Sequence, residues 1–151
     1  MEVADLLISY IHEHSPDAVF VDAGQGQGVI DRVRMLGCHV HEINFGSRAL
    51  QEGRFLNRRS EMWYGIREWL QEGGAIPDDT RLMKELSAPV YSFNASGKIQ
   101  LESKDDIKER LGFSPDLADA LALTFAMPVA PAGSHRPQKA KSSFESDFFN
   151  N

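Results

Sequence analysis

The residues able to do chemistry fall in two stretches of this sequence. In the first, the apolar run Ala18-Val19-Phe20-Val21 stops at a carboxylate, Asp22, and Gly24, Gly26 and Gly28 follow at once. The run has the length and β-branched character of a buried strand. In open α/β sheets ligands bind just beyond the carboxyl ends of strands, so an acid there is a functional candidate. Three readings fit: a metal-holding acid of a nuclease, a nucleotide or S-adenosylmethionine loop, or an Asp that merely caps the next helix.

The second stretch is Ser114-Pro115-Asp116-Leu117-Ala118-Asp119-Ala120-Leu121-Ala122. Ser114 reads as an N-cap and Pro115 as the first helical residue of a helix running to Phe125. Asp116 and Asp119, three apart, share a helix face. Asp116 is explained by the helix dipole alone. Asp119 lies among small and apolar neighbours, and a carboxylate in a packed helix needs a partner. A metal ion at the strand end carrying Asp22 would supply one, and hard carboxylate oxygens suit Mg2+ or Mn2+.

A third cluster is cationic. Arg48, Arg54, Arg58, Arg59 and Arg67 are concentrated around the start of a helix that opens at Asn57. Its apolar positions Met62, Trp63, Ile66, Trp69 and Leu70 follow a helical period. Cations are unfavourable at a helix N-terminus, which favours a phosphate-facing role for Arg54, Arg58 and Arg59 over a merely solvated helix start. His39 and His41 share one strand face, but no further ligand is spaced to complete a metal site, and polar strand positions are the simpler reading.

The elements that must position these groups follow from the pattern. An amphipathic helix over Glu2–Glu13 is closed by Pro16 and precedes the Ala18 strand. The glycine-rich turn leads to a helix beginning at Val29, then a second strand over Cys38–Asn44. After the Asn57 helix ends at Gly73-Gly74, Asp78-Asp79 caps a short helix through Leu86. Val90–Phe93 and Lys98–Leu101 bracket Asn94-Ala95-Ser96-Gly97 as a hairpin. Ser103 caps a helix that ends at Gly112.

The chain has 151 residues, enough for one domain with a real core. Its net charge of −6 excludes a general nucleic-acid coat but not a local basic groove. No apolar run approaches the ~20 residues of a membrane span. A single cysteine, Cys38, and a start without a basic secretory n-region fit a reducing, cytoplasmic setting. From residue 128 the composition turns to Pro, Gly, Lys and Ser, so 1–127 reads as the domain and 128–151 as a flexible tail. The tail's Phe144–Phe149 set aromatics among acids, in the manner of a short docking motif.

Taken in order, Val21–Val29, Val40–Gly46, Asn57–Trp63, Leu101–Lys108 and Ser114–Leu121 resemble the nuclease domain of tailed-phage terminase large subunits. The resemblance implies an α/β, RNase H-like fold: a mixed sheet flanked by helices, here partial, with the first strand or strands missing. It implies metal-dependent DNA cleavage during genome packaging, with three acids holding two divalent ions, Mg2+ or Mn2+. Asp22 matches the second acid and Asp119 the third, with Asp116 as an added ligand and Lys104 as a charge-balancing group. The first acid belongs to a strand that should precede Glu2–Glu13, and the sequence also lacks the phosphate-binding loop of a packaging ATPase. The expectation is a C-terminal terminase fragment, weak or inactive alone. Its setting would be a bacterial host's cytoplasm, encoded by a phage or prophage. Its partners would be double-stranded DNA and, on the protein side, the portal, the small terminase subunit or a separate ATPase-bearing fragment, with no membrane. Two alternatives stand beside it. Asp22 and its glycines, with Glu42 at the next strand, also resemble the cofactor loop of class I methyltransferases. A non-catalytic module docking DNA or portal through the arginines and the tail is the third.

Overall fold

A computed structural model describes residues 2–131. The docking motif expected at Phe144–Phe149 lies outside the described residues.

The chain opens with helix α1 (Glu2–His14), which leads through Pro16 into strand β1 (Phe20–Asp22). Helix α2 (Ala23–Met35) carries the chain back to strand β2 (His41–Ile43), which pairs parallel to β1 with Phe20 opposite His41 and Asp22 opposite Ile43. Side chains alternate across this pair. Val19, Val21 and Val40 pack with Ile30 and Val33 of α2 and with Ala4, Leu7 and Ile11 of α1. Phe20 and Ile43 pack on the other face. There they meet Met62, Trp63 and Ile66 of helix α3 (Arg58–Gln71) and Ala118, Ala122 and Leu123 of helix α6 (Asp116–Leu123). The result is a three-layer sandwich whose middle layer is two strands wide.

Between α3 and α6 the chain forms helix α4 (Thr80–Ser87), an antiparallel hairpin of β3 (Tyr91–Phe93) and β4 (Ile99–Leu101), and helix α5 (Lys104–Leu111). Caps set these boundaries as the sequence predicts. Asn57, Asp79 and Ser103 accept hydrogen bonds from the backbone N–H groups of Ser60, Leu82 and Asp106. Gly112, at φ 76°, closes α5 in the left-handed conformation that favours glycine. The described residues thus hold two separate two-stranded sheets, one parallel and one antiparallel.

Three local expectations are corrected. The glycines form no loop: α2 starts at Ala23, directly after β1, because Asp22 Oδ1 accepts the Gly24 N–H at 3.0 Å and nucleates the first turn. Gly26 lies close against β1, where a Cβ would stand 3.0 Å from Val21 Cγ1 and press on it. A cofactor cradle of the methyltransferase kind needs those glycines in a loop, and Glu42 is paired with Arg34 at 3.2 Å. Second, Ser114 does not cap α6; its hydroxyl donates to Asp116 Oδ1. The orphan N–H groups of Leu117 and Ala118 instead donate to the buried carboxylate of Glu85 on α4, at 2.6 and 3.1 Å. Third, α6 ends at Leu123 rather than Phe125.

Candidate functional site

Asp119 is the buried centre of a charged group built from three helices. It is only 3% exposed. Its Oδ1 accepts from Trp63 Nε1 at 2.7 Å and from Arg59 Nε at 3.1 Å, both from α3. Its Oδ2 lies 2.9 Å from Lys104 Nζ at the start of α5. Arg59 and Trp63 are four residues apart, so one face of α3 delivers both donors to α6. Arg59 is itself anchored by donating Nη1 to the Glu102 carbonyl at 2.7 Å.

Lys104 also reaches Asp116 Oδ1, at 3.4 Å. Burial works to lower the Lys104 ammonium pKa, but its hydrogen bond to Asp119 and the charges of Asp119 and Asp116 outweigh that and raise it. The ammonium is therefore held charged between the two carboxylates. Asp116, with a side chain 64% exposed, keeps oxygen lone pairs open to solvent.

The structure thus brings Lys104, Asp116 and Asp119 together. Asp22 sits at the carboxyl end of β1, half-buried, with its side chain turned to its own helix; no hydrogen bond or ion pair joins it to the Lys104 group. Among the described residues no three His, Cys, Asp or Glu side chains are grouped closely enough to hold a metal ion. His39 and His41 stack edge to face, with His41 against Phe20.

The arginines divide. Arg58 and Arg59 are each 8% exposed and turn their guanidinium groups into the fold. Arg58 binds Glu61 at 2.9 Å and the Ala126 carbonyl. Arg54 remains at the surface, paired to Glu68 at 2.9 Å and lying over the rings of Phe55 and Tyr64. Trp63, Glu85 and Glu102 were not singled out by the sequence. For Trp63 a signal existed: its four-residue spacing from Arg59 on the apolar face of a helix. Glu85 gave none, because its role depends on a contact 32 residues away in the chain.

The residues do not by themselves fit a two-ion centre. Asp116 and Asp22 offer hard oxygens of the right kind, but the oxygens of Asp119 already face an indole N–H, a guanidinium and an ammonium.

No family model matches the chain, and no curated protein matches it. Solved structures do. The nuclease domain of the large terminase subunit gp2 of bacterial virus Sf6 superposes with a TM-score of 0.69 at 24% identity, over 83% of this chain and 72% of that one. A lysine-to-alanine mutant of that domain with manganese and beta-thujaplicinol gives 0.71 at 24% identity, over 85% and 73%. A mutant form with calcium gives 0.66 at 26% identity, over 83% and 71%. The chain thus has the α/β, RNase H-like fold of the phage large-terminase nuclease domain.

Proposed function

We propose that the chain is a module of a terminase-type, metal-dependent DNA nuclease, and that its described residues need a further ligand to complete a metal site. The observation that carries this reading is the superposition on terminase nuclease domains over more than four-fifths of the chain. Within that fold Asp22 lies where ligands bind open α/β sheets, beyond the carboxyl end of a strand. Asp116 is the exposed acid of the C-terminal helix. These two would offer oxygens to a divalent ion, Mg2+ or Mn2+, when a further carboxylate from outside residues 2–131 joins them. The ion supplies Lewis-acid chemistry when bound.

In this reading the chain's own residues position rather than react. Arg59 and Trp63 fix Asp119 and with it the α3–α6 contact. Lys104 compensates the charge of Asp116 and Asp119. Of Arg54, Arg58 and Arg59, Arg54 is the one at the surface, where it would exchange Glu68 for a phosphate of the DNA backbone. The reading also carries the expectation of an ATPase-bearing terminase fragment, the small subunit and the portal as protein partners, in a bacterial host's cytoplasm. No helix among the described residues is long and apolar enough to cross a membrane.

The test is fluorescence anisotropy with a labelled DNA duplex. Binding should be insensitive to sequence, weaken steeply with salt, and weaken further, uniformly across sequences, in Arg54→Ala. Absence of binding at low salt would overturn the DNA-processing reading.

A further inference from the structure

Four of the five arginines clustered around α3 have a carboxylate partner: Glu52 for Arg48, Glu68 for Arg54, Glu61 for Arg58 and Asp119 for Arg59. Arg67 has none among the described residues. Its Nη1 donates to the Tyr64 hydroxyl at 3.1 Å, and its Cζ lies 5.2 and 5.5 Å from the ring centroids of Tyr64 and Tyr91. The two rings hold the guanidinium in place without neutralising it. An oriented, uncompensated guanidinium suits an anion that can take two of its N–H groups.

Arg54 lies over the same Tyr64 ring, 4.6 Å from its centroid. Cations and rings therefore alternate from Arg54 through Tyr64 and Arg67 to Tyr91 on the hairpin. This row borders a cavity of about 410 Å³ between α3, α4 and the hairpin. Trp63, Ile66, Leu86 and Leu101 give it apolar walls, and Arg67 is the one charged residue among the described residues that line it. Gln71, one turn of α3 beyond Arg67, also lines it, and its side-chain amide has no hydrogen bond among the described residues. Cavities of about 300–1,000 Å³ with apolar walls and a few convergent polar groups hold small planar ligands. The group that matches all three features has a flat aromatic body, a polar edge for an amide and an anion beside it.

We propose that this cavity receives an unpaired nucleotide of a DNA strand. The base lies against the apolar walls and the Tyr91 ring, its edge bonds the Gln71 amide, and its phosphate sits on Arg67. Arg54, the phosphate contact of the proposed function, leads the strand to it. A paired base is stacked and has its Watson–Crick edge occupied, so only an unpaired one enters. The inference rests on the DNA-processing reading and adds to it a site for unpaired nucleotides.

The test compares three probes on the full chain by fluorescence anisotropy: a labelled single-stranded octanucleotide, the same strand made abasic throughout, and a labelled duplex. The octanucleotide should bind about tenfold more tightly than its abasic form. A 2-aminopurine placed in the strand should lose fluorescence on binding, as a stacked base does. Tyr91→Ala and Arg67→Gln should each weaken the single strand by about tenfold, and weaken it more than the duplex, whereas Tyr91→Phe should keep the affinity. Tyr91 is 45% exposed and Arg67 is exposed, so the fold should persist by circular dichroism. If either variant does not fold, the abasic comparison still decides, because it uses the unchanged chain. Equal binding of the octanucleotide and its abasic form would overturn the proposal, as would variants that weaken strand and duplex alike. So would displacement of the strand by an equal concentration of a deoxynucleoside monophosphate, which makes free nucleotide the ligand. Duplex binding without single-strand binding would overturn this site and leave the DNA-processing reading standing. Absence of binding by either would overturn both.

Discussion

At the scale of residues, two aspartates three positions apart in the sequence have opposite circumstances. Asp119 is enclosed by Arg59, Trp63 and Lys104. Asp116 is open to solvent. Removing one partner of a buried ion pair leaves an uncompensated charge, so Asp119→Ala should cost about 3–5 kcal/mol in urea unfolding. Asp116→Ala, at an exposed site, should stay within about 0.5 kcal/mol. Equal costs would mean that Asp119 is not the centre of the group. The sequence made it clear that an acid among Leu117, Ala118 and Ala120 needs a partner. It did not show that the partner is a set of donors from α3 and α5, because those lie 60, 56 and 15 positions away and meet Asp119 only once the helices pack.

At the scale of elements, boundaries set by local chemistry were legible and those set by tertiary contact were not. Asn57, Asp79 and Ser103 cap their helices through hydrogen bonds three residues on, which the sequence alone displays. The glycine triplet misled, because Gly24, Gly26 and Gly28 read as a loop although Asp22 begins the helix ahead of them. The start of α6 depends on Glu85, which holds two of its N–H groups. Glu85→Ala leaves those donors unpaired near the core and should cost about 2–3 kcal/mol, read as a shift in the urea midpoint. A shift near zero would return the cap to Ser114.

The junction of β4 and α5 carries a pH dependence. Arg110 donates to Glu102 at 2.6 Å and to the Ala88 carbonyl, tying α5 to the chain before β3. The hydrogen bond from Arg110 holds the Glu102 carboxyl pKa below its usual value, against desolvation. A lowered acid pKa contributes stability that is present above the unfolded value of about 4.5 and lost as pH falls through the folded value. Urea midpoints should therefore fall below pH 4.5, and Glu102→Gln should remove part of that slope. A slope unchanged in the variant would show the pair to be silent.

At the scale of the whole molecule, the order of the motifs made the fold class legible: their resemblance implied the RNase H-like fold, and the solved terminase nuclease domains superpose on this chain. The width of the sheet was not legible, because a strand's outer edge has no signature in its own sequence. Among the described residues Asp22, Asp116 and Asp119 form no group that could hold a metal ion, and the proposed reading turns on that placement. The most direct measurement is cleavage of supercoiled plasmid by the purified chain with Mn2+. The expected result is little or no nicking beyond the metal-free control. Robust Mn2+-dependent cleavage, abolished by Asp22→Ala, would contradict the account by showing that these residues complete a metal centre on their own.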